Sequence, residues 1–213
     1  MKGGGEADRA LAIERYRRHA QGYDASAMRT MPLRRRTIAA LDLVPGDAVL
    51  DVACGTGLSL PLLVAAVGEQ GRVVGIELSP DMCRLARARV VRERWRNVTL
   101  IESAVEDAAP EESFGALLFN FTHDVLQSRA ALARVFACAA PGARVAASGS
   151  RFFPSWLAPA NALVRRMNAP YVTTFEGMHE PWRYLRGYVP GLTIESALWG
   201  AGYVAWGRCA ARG

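Results

Sequence analysis

Apolar residues in this chain gather in short runs bounded by glycine, proline and charge, and one well-bounded run, Val49 to Ala53, is broken only by Asp51. Apolar residues at consecutive rather than alternate positions suit a strand buried on both faces of a parallel sheet. Gly55 and Gly57 end that run, a short helix follows, and Arg72 to Ile76 repeats the strand pattern with Glu77 at its carboxyl end. Val98 to Ile101, Phe114 to Phe121 and Arg144 to Gly149 predict the third, fourth and fifth strands. Ser79, Pro80 and Asp81 form an N-cap, first helical residue and first-turn acid, so a helix begins there. A further helix is predicted from Arg129 to Ala139, followed by a turn at Pro141-Gly142. The closing segment, Leu192 to Cys209, alternates well enough for two strands around Gly200-Ala201-Gly202, an antiparallel hairpin.

The flanking segments read differently. Residues 1 to about 8 carry three consecutive glycines and predict a flexible lead. From Ala10 to Tyr23, Leu11, Ile13, Tyr16 and Ala20 recur at near-helical spacing, up to a Gly-Tyr-Asp break, and a second helix is expected from Leu33 to Leu41. Between Arg151 and Pro190, aromatic residues are punctuated by Pro154, Pro159, Pro170 and Pro181, which predicts a lid of short helices and loops. The expected division is a helical cover over residues 1–44 and a ligand-binding domain over 45–213 that includes the lid at 151–190.

Glycines after a buried strand let the main chain approach a ligand closely, and the helix that follows offers free N–H groups. Glu77 lies where a doubly wound sheet hydrogen-bonds a ribose. Together they predict an adenosine-type cofactor. A dinucleotide site commonly has a third glycine where Leu60 stands here, and no Gly-Lys-Ser/Thr phosphate loop is present. Asp51, just before the turn, would repel a pyrophosphate and suits a positively charged ligand.

DVACGTG followed by GIELS resembles motifs I and II of the class I S-adenosylmethionine-dependent methyltransferases, and Tyr23-Asp24 resembles the cover of the small ubiquinone/menaquinone or phospholipid N-methyltransferase type. The resemblance implies an α/β fold: a Rossmann-like, doubly wound, seven-stranded sheet, six strands parallel and one antiparallel. It implies S-adenosyl-L-methionine as cofactor, with S-adenosyl-L-homocysteine as product. Tyr23, Asp51, Ala53, Gly55, Gly57, Glu77, Leu78, Met82, Ser103, Ala104 and Asn120 are the implied cofactor-binding residues. Glu77 would bind the ribose hydroxyls, Met82 would pack on the adenine, and Tyr23 would either close over the donor's methionine or simply pack the cover. Ser103 departs from the family's acid at the adenine contact; its hydroxyl can accept the same bond without charge.

An activated sulfonium leaves the protein to position donor and acceptor, and a base helps only where the acceptor carries a proton. His123, directly after the fourth strand, is the candidate base, with Asn120 as a second catalytic residue; a His-Asp pair capping the next helix is the alternative. His19 falls in the cover and His179 in the lid. Phe152, Phe153 and Trp156 are the expected substrate-binding residues.

Length and composition narrow the class. At 213 residues and 51% hydrophobic content the chain suits one domain with a full core. No apolar stretch is long enough to span a bilayer and the N-terminus lacks a signal peptide's apolar core, so a cytoplasmic protein is expected. Cys54, Cys83, Cys138 and Cys209 have neither disulfide-framework nor zinc spacing, so no metal is indicated. The net charge of +6 is nearly all arginine. Its one compact cluster, Arg34-Arg35-Arg36, suits a solvated face or contact with phosphate or lipid headgroups.

The expected function is methyl transfer to a small, largely apolar metabolite at N, O or C. A phospholipid N-methyltransferase and a non-methylating binding protein are the alternatives. Peripheral contact with an anionic membrane is a further expectation. Nucleic acid is not expected as a partner, because no recognition domain is appended and no Asn-Pro-Pro-Tyr-type tetrapeptide follows the fourth strand. The oligomeric state is left open.

Overall fold

The structure, a computed structural model, describes residues 8–110 and 112–210. Residues 1–7 of the expected lead lie outside it. The chain forms α1 (Arg9–Ala27), α2 (Met31–Ala39), β1 (Ala48–Val52), α3 (Leu60–Val67), β2 (Arg72–Glu77), α4 (Pro80–Glu93) and β3 (Val98–Glu102). It continues through β4 (Phe114–Asn120), α5 (His123–Gln127), α6 (Arg129–Ala137), β5 (Ala139–Ser150), α7 (Ala158–Asn168), β6 (Thr193–Ala197) and β7 (Gly202–Arg208).

All seven strands join one sheet in the order β3-β2-β1-β4-β5-β7-β6. β1 to β5 pair in parallel, and β7 runs antiparallel to both β5 and β6, so six strands share one direction and one opposes them. The consecutive apolar positions do what the pattern required. Leu50, Val52, Val74, Ile76, Leu117 and Phe119 pack into a core on one face. Val49, Val73, Ala116 and Leu118 pack on the other against Leu60, Leu63 and Val67 of α3 and Ile38 of α2. Each side chain removed from water in this way stabilises the sheet by about 1.5–3 kcal/mol.

The strand order reverses direction between β1 and β4, and a doubly wound sheet opens a crevice beyond the carboxyl ends of its strands at that point. The turn after β1 and the loop after β4 form its two sides. α4 begins as expected: the Ser79 hydroxyl accepts from the Met82 N–H at 3.5 Å, with Pro80 in the first turn.

Several boundaries differ from the sequence pattern. α1 does not end at the Gly-Tyr-Asp break but continues to Ala27, because Asp24 is anchored from outside the helix: it accepts from Thr56 Oγ1 at 2.5 Å and from Arg89 Nη2 at 2.6 Å. α5 was not expected as a helix; it begins at His123, directly after the end of β4. The Pro141-Gly142 turn is absorbed into β5, where the pairing with β4 slips between Phe114 and Ala116 and Gly142 takes a φ of +69°. The lid is built chiefly on α7.

Candidate functional site

Two non-glycine residues in left-handed backbone, Ala53 (φ +53°) and Phe121 (φ +60°), follow β1 and β4 directly and line the crevice. Each such conformation costs on the order of 1–3 kcal/mol and is held by its surroundings. Gly55 and Gly57 are left-handed as well, and they face different things. A Cβ on Gly55 would meet nothing within 4 Å, whereas one on Gly57 would come within 2.6 Å of Leu60 Cδ1. Gly55 therefore opens the turn to a ligand, and Gly57 allows α3 to pack.

Glu77 is buried at the end of β2, its two oxygens accepting from the main-chain N–H groups of Gly55 (2.8 Å) and Ser79 (2.7 Å). Burial raises its carboxyl above the ordinary value, and those backbone hydrogen bonds oppose the rise. Each carboxylate oxygen keeps acceptor capacity for a hydroxyl. Beside it, Asp51 is 1% exposed, and its Oδ2 has no partner. Burial pushes Asp51 up to about 7, against the pull of the Arg34 guanidinium.

Arg34 is 5% exposed, and no carboxylate lies within ion-pair distance of it among the described residues. It donates to Thr30 Oγ1 at 3.1 Å and to Ser59 Oγ at 3.4 Å, and its guanidinium stands 5.1 Å over the Phe121 ring. Ser59 also accepts from Asn120 Nδ2 at 3.2 Å, and Asn120 Oδ1 accepts from Ser148 Oγ at 2.6 Å. Asn120 thus braces the ends of β4 and β5, with one N–H and one lone pair left for a ligand.

His123 Nε2 donates to the Glu176 carbonyl at 2.9 Å, which leaves Nδ1 as the acceptor nitrogen of a neutral ring, buried and without a partner. Burial lowers its pKa, opposed by the neighbouring Asp124 charge. Asp124 Oδ2 holds the N–H and hydroxyl of Thr173 in the lid, and its Oδ1 is also orphaned. Among the described residues, four of the seven buried polar atoms without a partner, on Asp51, Thr122, His123 and Asp124, belong to this one region, a concentration that makes it the candidate ligand site.

A second cavity adjoins the crevice. Tyr16, Tyr23, Arg34, Phe121, His123 and Tyr171 form walls of both. α1 closes the crevice by bonding the lid: Tyr16 Oη donates to the Tyr171 carbonyl at 2.9 Å, and Arg15 donates to that of Val172.

Of the residues expected at the cofactor, Tyr23, Ala53, Gly55, Glu77, Leu78, Met82, Ala104 and Asn120 line the crevice. Asp51 lies just behind it. Gly57 and Ser103 are not in its lining: the Ser103 hydroxyl turns to the Ala104 carbonyl at 3.0 Å, and Val105 and Glu106 take up that wall. The expected substrate residues are not brought to either cavity. Phe152 is buried in a separate cluster with Val164, Val172 and Met178, Phe153 packs beside Gly200, and Trp156 is 77% exposed. The second cavity takes its lid wall from Met167, Tyr171 and Met178 instead. His179 is exposed, edge-on to Phe152 at 5.3 Å, and the His19 side chain lies outside the described residues.

Arg34, Thr122, Asp124 and Tyr171 were missed as site residues. For Arg34 a signal existed: Leu33, Thr37, Ile38 and Leu41 recur at helical spacing, which puts Arg34 on the buried face of α2 while Arg35 and Arg36 point out.

Residues 49–142 match the family model for a methyltransferase domain. The chain is 29% identical over 133 residues to a demethylmenaquinone methyltransferase of Symbiobacterium thermophilum, covering 59% of this chain and 53% of that protein. It is 34% identical over 89 residues to a demethylmenaquinone methyltransferase of Bacillus cereus, covering 41% of this chain and 38% of the relative. The chain thus spans about half, or less, of the length of the curated relatives it matches. An O-methyltransferase family protein from Burkholderia thailandensis shares the fold, with a TM-score of 0.68 and 16% identity over 89% of this chain and 59% of that one.

Proposed function

From the premise that this chain belongs to the class I S-adenosylmethionine-dependent methyltransferases, we propose that it transfers a methyl group from S-adenosylmethionine to a small, largely apolar acceptor. The observation that carries this reading is a pair of buried ionisable groups, Asp51 and Arg34, neither in an ion pair among the described residues, at a crevice whose lining includes Arg34 and Glu77. An amino-acid zwitterion would answer both, its ammonium toward Asp51 and its carboxylate toward Arg34. Gly55 leaves room for the donor's body, Glu77 accepts from the ribose hydroxyls, and Met82 with Val105 flanks the base. When bound, the donor supplies an electrophilic methyl and a neutral leaving group.

The chain's own work is positioning and proton handling. The six residues common to both cavities place an acceptor in the second against a donor in the first, and such alignment is worth up to about 7–11 kcal/mol in favourable intramolecular models. The lid and α1 cover the crevice and exclude water. His123, neutral and held through Nε2, offers Nδ1 to a proton leaving an O–H or N–H acceptor. Tyr16, Tyr23, Tyr171, Tyr203 and Phe121 give the second cavity aromatic walls, which suit a flat apolar acceptor. The demethylmenaquinone methyltransferases among the relatives support a quinol-like one.

A second reading, a phospholipid N-methyltransferase, has Arg29 and Arg34 in the second cavity in its favour, since both can hold a phosphate. Incubation with methyl-labelled donor and separate panels of hydroquinones and phosphatidylethanolamine vesicles tests both. Label in a hydroquinone supports the first reading, label in lipid the second. Donor binding without transfer to a cell metabolite extract would leave a non-methylating binding protein.

A further inference from the structure

The mouth of the second cavity is unlike the rest of the surface. Of eight large apolar side chains exposed among the described residues, five lie on the lid and the β6–β7 connection: Trp156, Leu163, Met167, Leu198 and Trp199. Leu163 and Met167 are one turn apart on α7 and so share a face. Met167 and Leu198 both line the second cavity, and Phe153 against Gly200 ties the start of the lid to the β6–β7 tip. Trp199 is fully exposed at that tip, in left-handed backbone beside Leu198.

Positive charge predominates at this face, with Asp24, Asp42, Glu176 and Glu195 the acids that border it in sequence. Residues 25–41, 151–175 and 196–210, which carry these side chains and line the cavity with them, contain no Asp or Glu. Arg29, Arg165 and Arg166 are exposed there without an ion pair among the described residues; Arg36 is paired with Glu195 of β6. Tryptophan and leucine flanked by unpaired arginine are the elements of a surface that seats at the headgroup level of an anionic bilayer. No helix among the described residues is long and apolar enough to cross one.

We propose that this face docks on an anionic lipid surface, with the second cavity opening toward the bilayer so that an apolar acceptor enters from it. The proposal rests on the reading of that cavity as the acceptor site. Electrostatic attraction by the arginines brings the face to the membrane, and the two tryptophans with α7 insert into the headgroup boundary. The experiment is co-sedimentation of the full chain with vesicles of phosphatidylcholine alone, and of phosphatidylcholine mixed with phosphatidylglycerol, at low and high salt.

Binding to the mixed vesicles that falls with salt is expected. Arg166→Gln should weaken it about fivefold, the effect of one arginine near a charged surface. The double variant Trp156→Ser, Trp199→Ser should lose most of it while keeping its melting temperature and its affinity for S-adenosylhomocysteine. No association with anionic vesicles at low salt would overturn the proposal, as would undiminished association in these variants. So would a dimer in light scattering whose interface protects α7 and the β6–β7 tip from hydrogen exchange, because a second copy would then cover the face. Because donor binding is read separately, a failure of membrane docking leaves the donor site standing, and loss of donor binding in the parent chain would count against the methyltransferase reading instead.

Discussion

The carboxylate of Glu77 accepts a hydrogen bond from the main-chain N–H of Gly55 at 2.8 Å, locking the end of β2 to the glycine turn after β1. The residue proposed for the ribose therefore also shapes the turn proposed to admit the donor. Glu77→Ala should lower affinity for S-adenosylhomocysteine by about 1.5–3 kcal/mol, the range for a charge-assisted hydrogen bond. It should also lower the melting temperature, since the Gly55 and Ser79 N–H groups lose their acceptor. Calorimetry showing unchanged affinity would remove Glu77 from the ribose.

The two glycines of the turn should separate function from packing. Gly55→Val places a branched side chain in open crevice space and should abolish donor binding with a modest loss of stability. Gly57→Val drives that side chain into Leu60 and should lower the melting temperature more. The reverse pattern would mean that the crevice lies on the other side of the turn.

Asp51 makes a pH prediction. Its folded value of about 7 exceeds the unfolded carboxyl value of about 3.9. Between the two the folded chain retains a proton that the unfolded chain has released, so stability without ligand should fall as pH rises through that window. Glu77, also raised by burial, adds in the same direction. Donor affinity should move oppositely, rising as Asp51 ionises to meet an ammonium. Asp51→Asn should flatten much of both dependences, read by thermal melts and calorimetry from acid to neutral pH.

His123→Ala should reduce turnover by about two to four orders of magnitude with donor affinity intact, provided the acceptor loses a proton. The lowered pKa keeps the ring in its proton-accepting form below the ordinary histidine range, so the parent's rate should reach its plateau on the acid side of 6.5. A rate within a few-fold of the parent at every pH would show that alignment alone carries the reaction.

Asp24 joins α1 to both the glycine turn and α4 through Thr56 and Arg89. Its side chain is 46% exposed, so the ion pair itself should contribute no more than about 1 kcal/mol to stability. Asp24→Ala should nonetheless weaken donor binding and raise amide exchange in α1, with a small change in melting temperature. Equal exchange in parent and variant would assign α1 to fixed structure rather than to a closing element.

The sheet, the glycine turn and Glu77 were legible in the sequence because each is local. Consecutive apolar residues in a strand need cover on both faces, which a parallel sheet between helices supplies, and a glycine pair with an acid one strand later sits within about thirty residues of chain. Only the tertiary structure decided the rest. Arg34 became a candidate site residue because α2 presents it to Ser59 and to the Phe121 ring, the latter more than eighty residues away in sequence, where no carboxylate among the described residues pairs with it. The aromatic lid misled in the other direction. Phe152, Phe153 and Trp156 look like a substrate wall in sequence, but side chains on irregular segments point where long-range packing sends them. That packing buries Phe152 among α7 and Met178 and turns Trp156 to the surface, so the lid wall of the second cavity falls to Tyr171, Met167 and Met178.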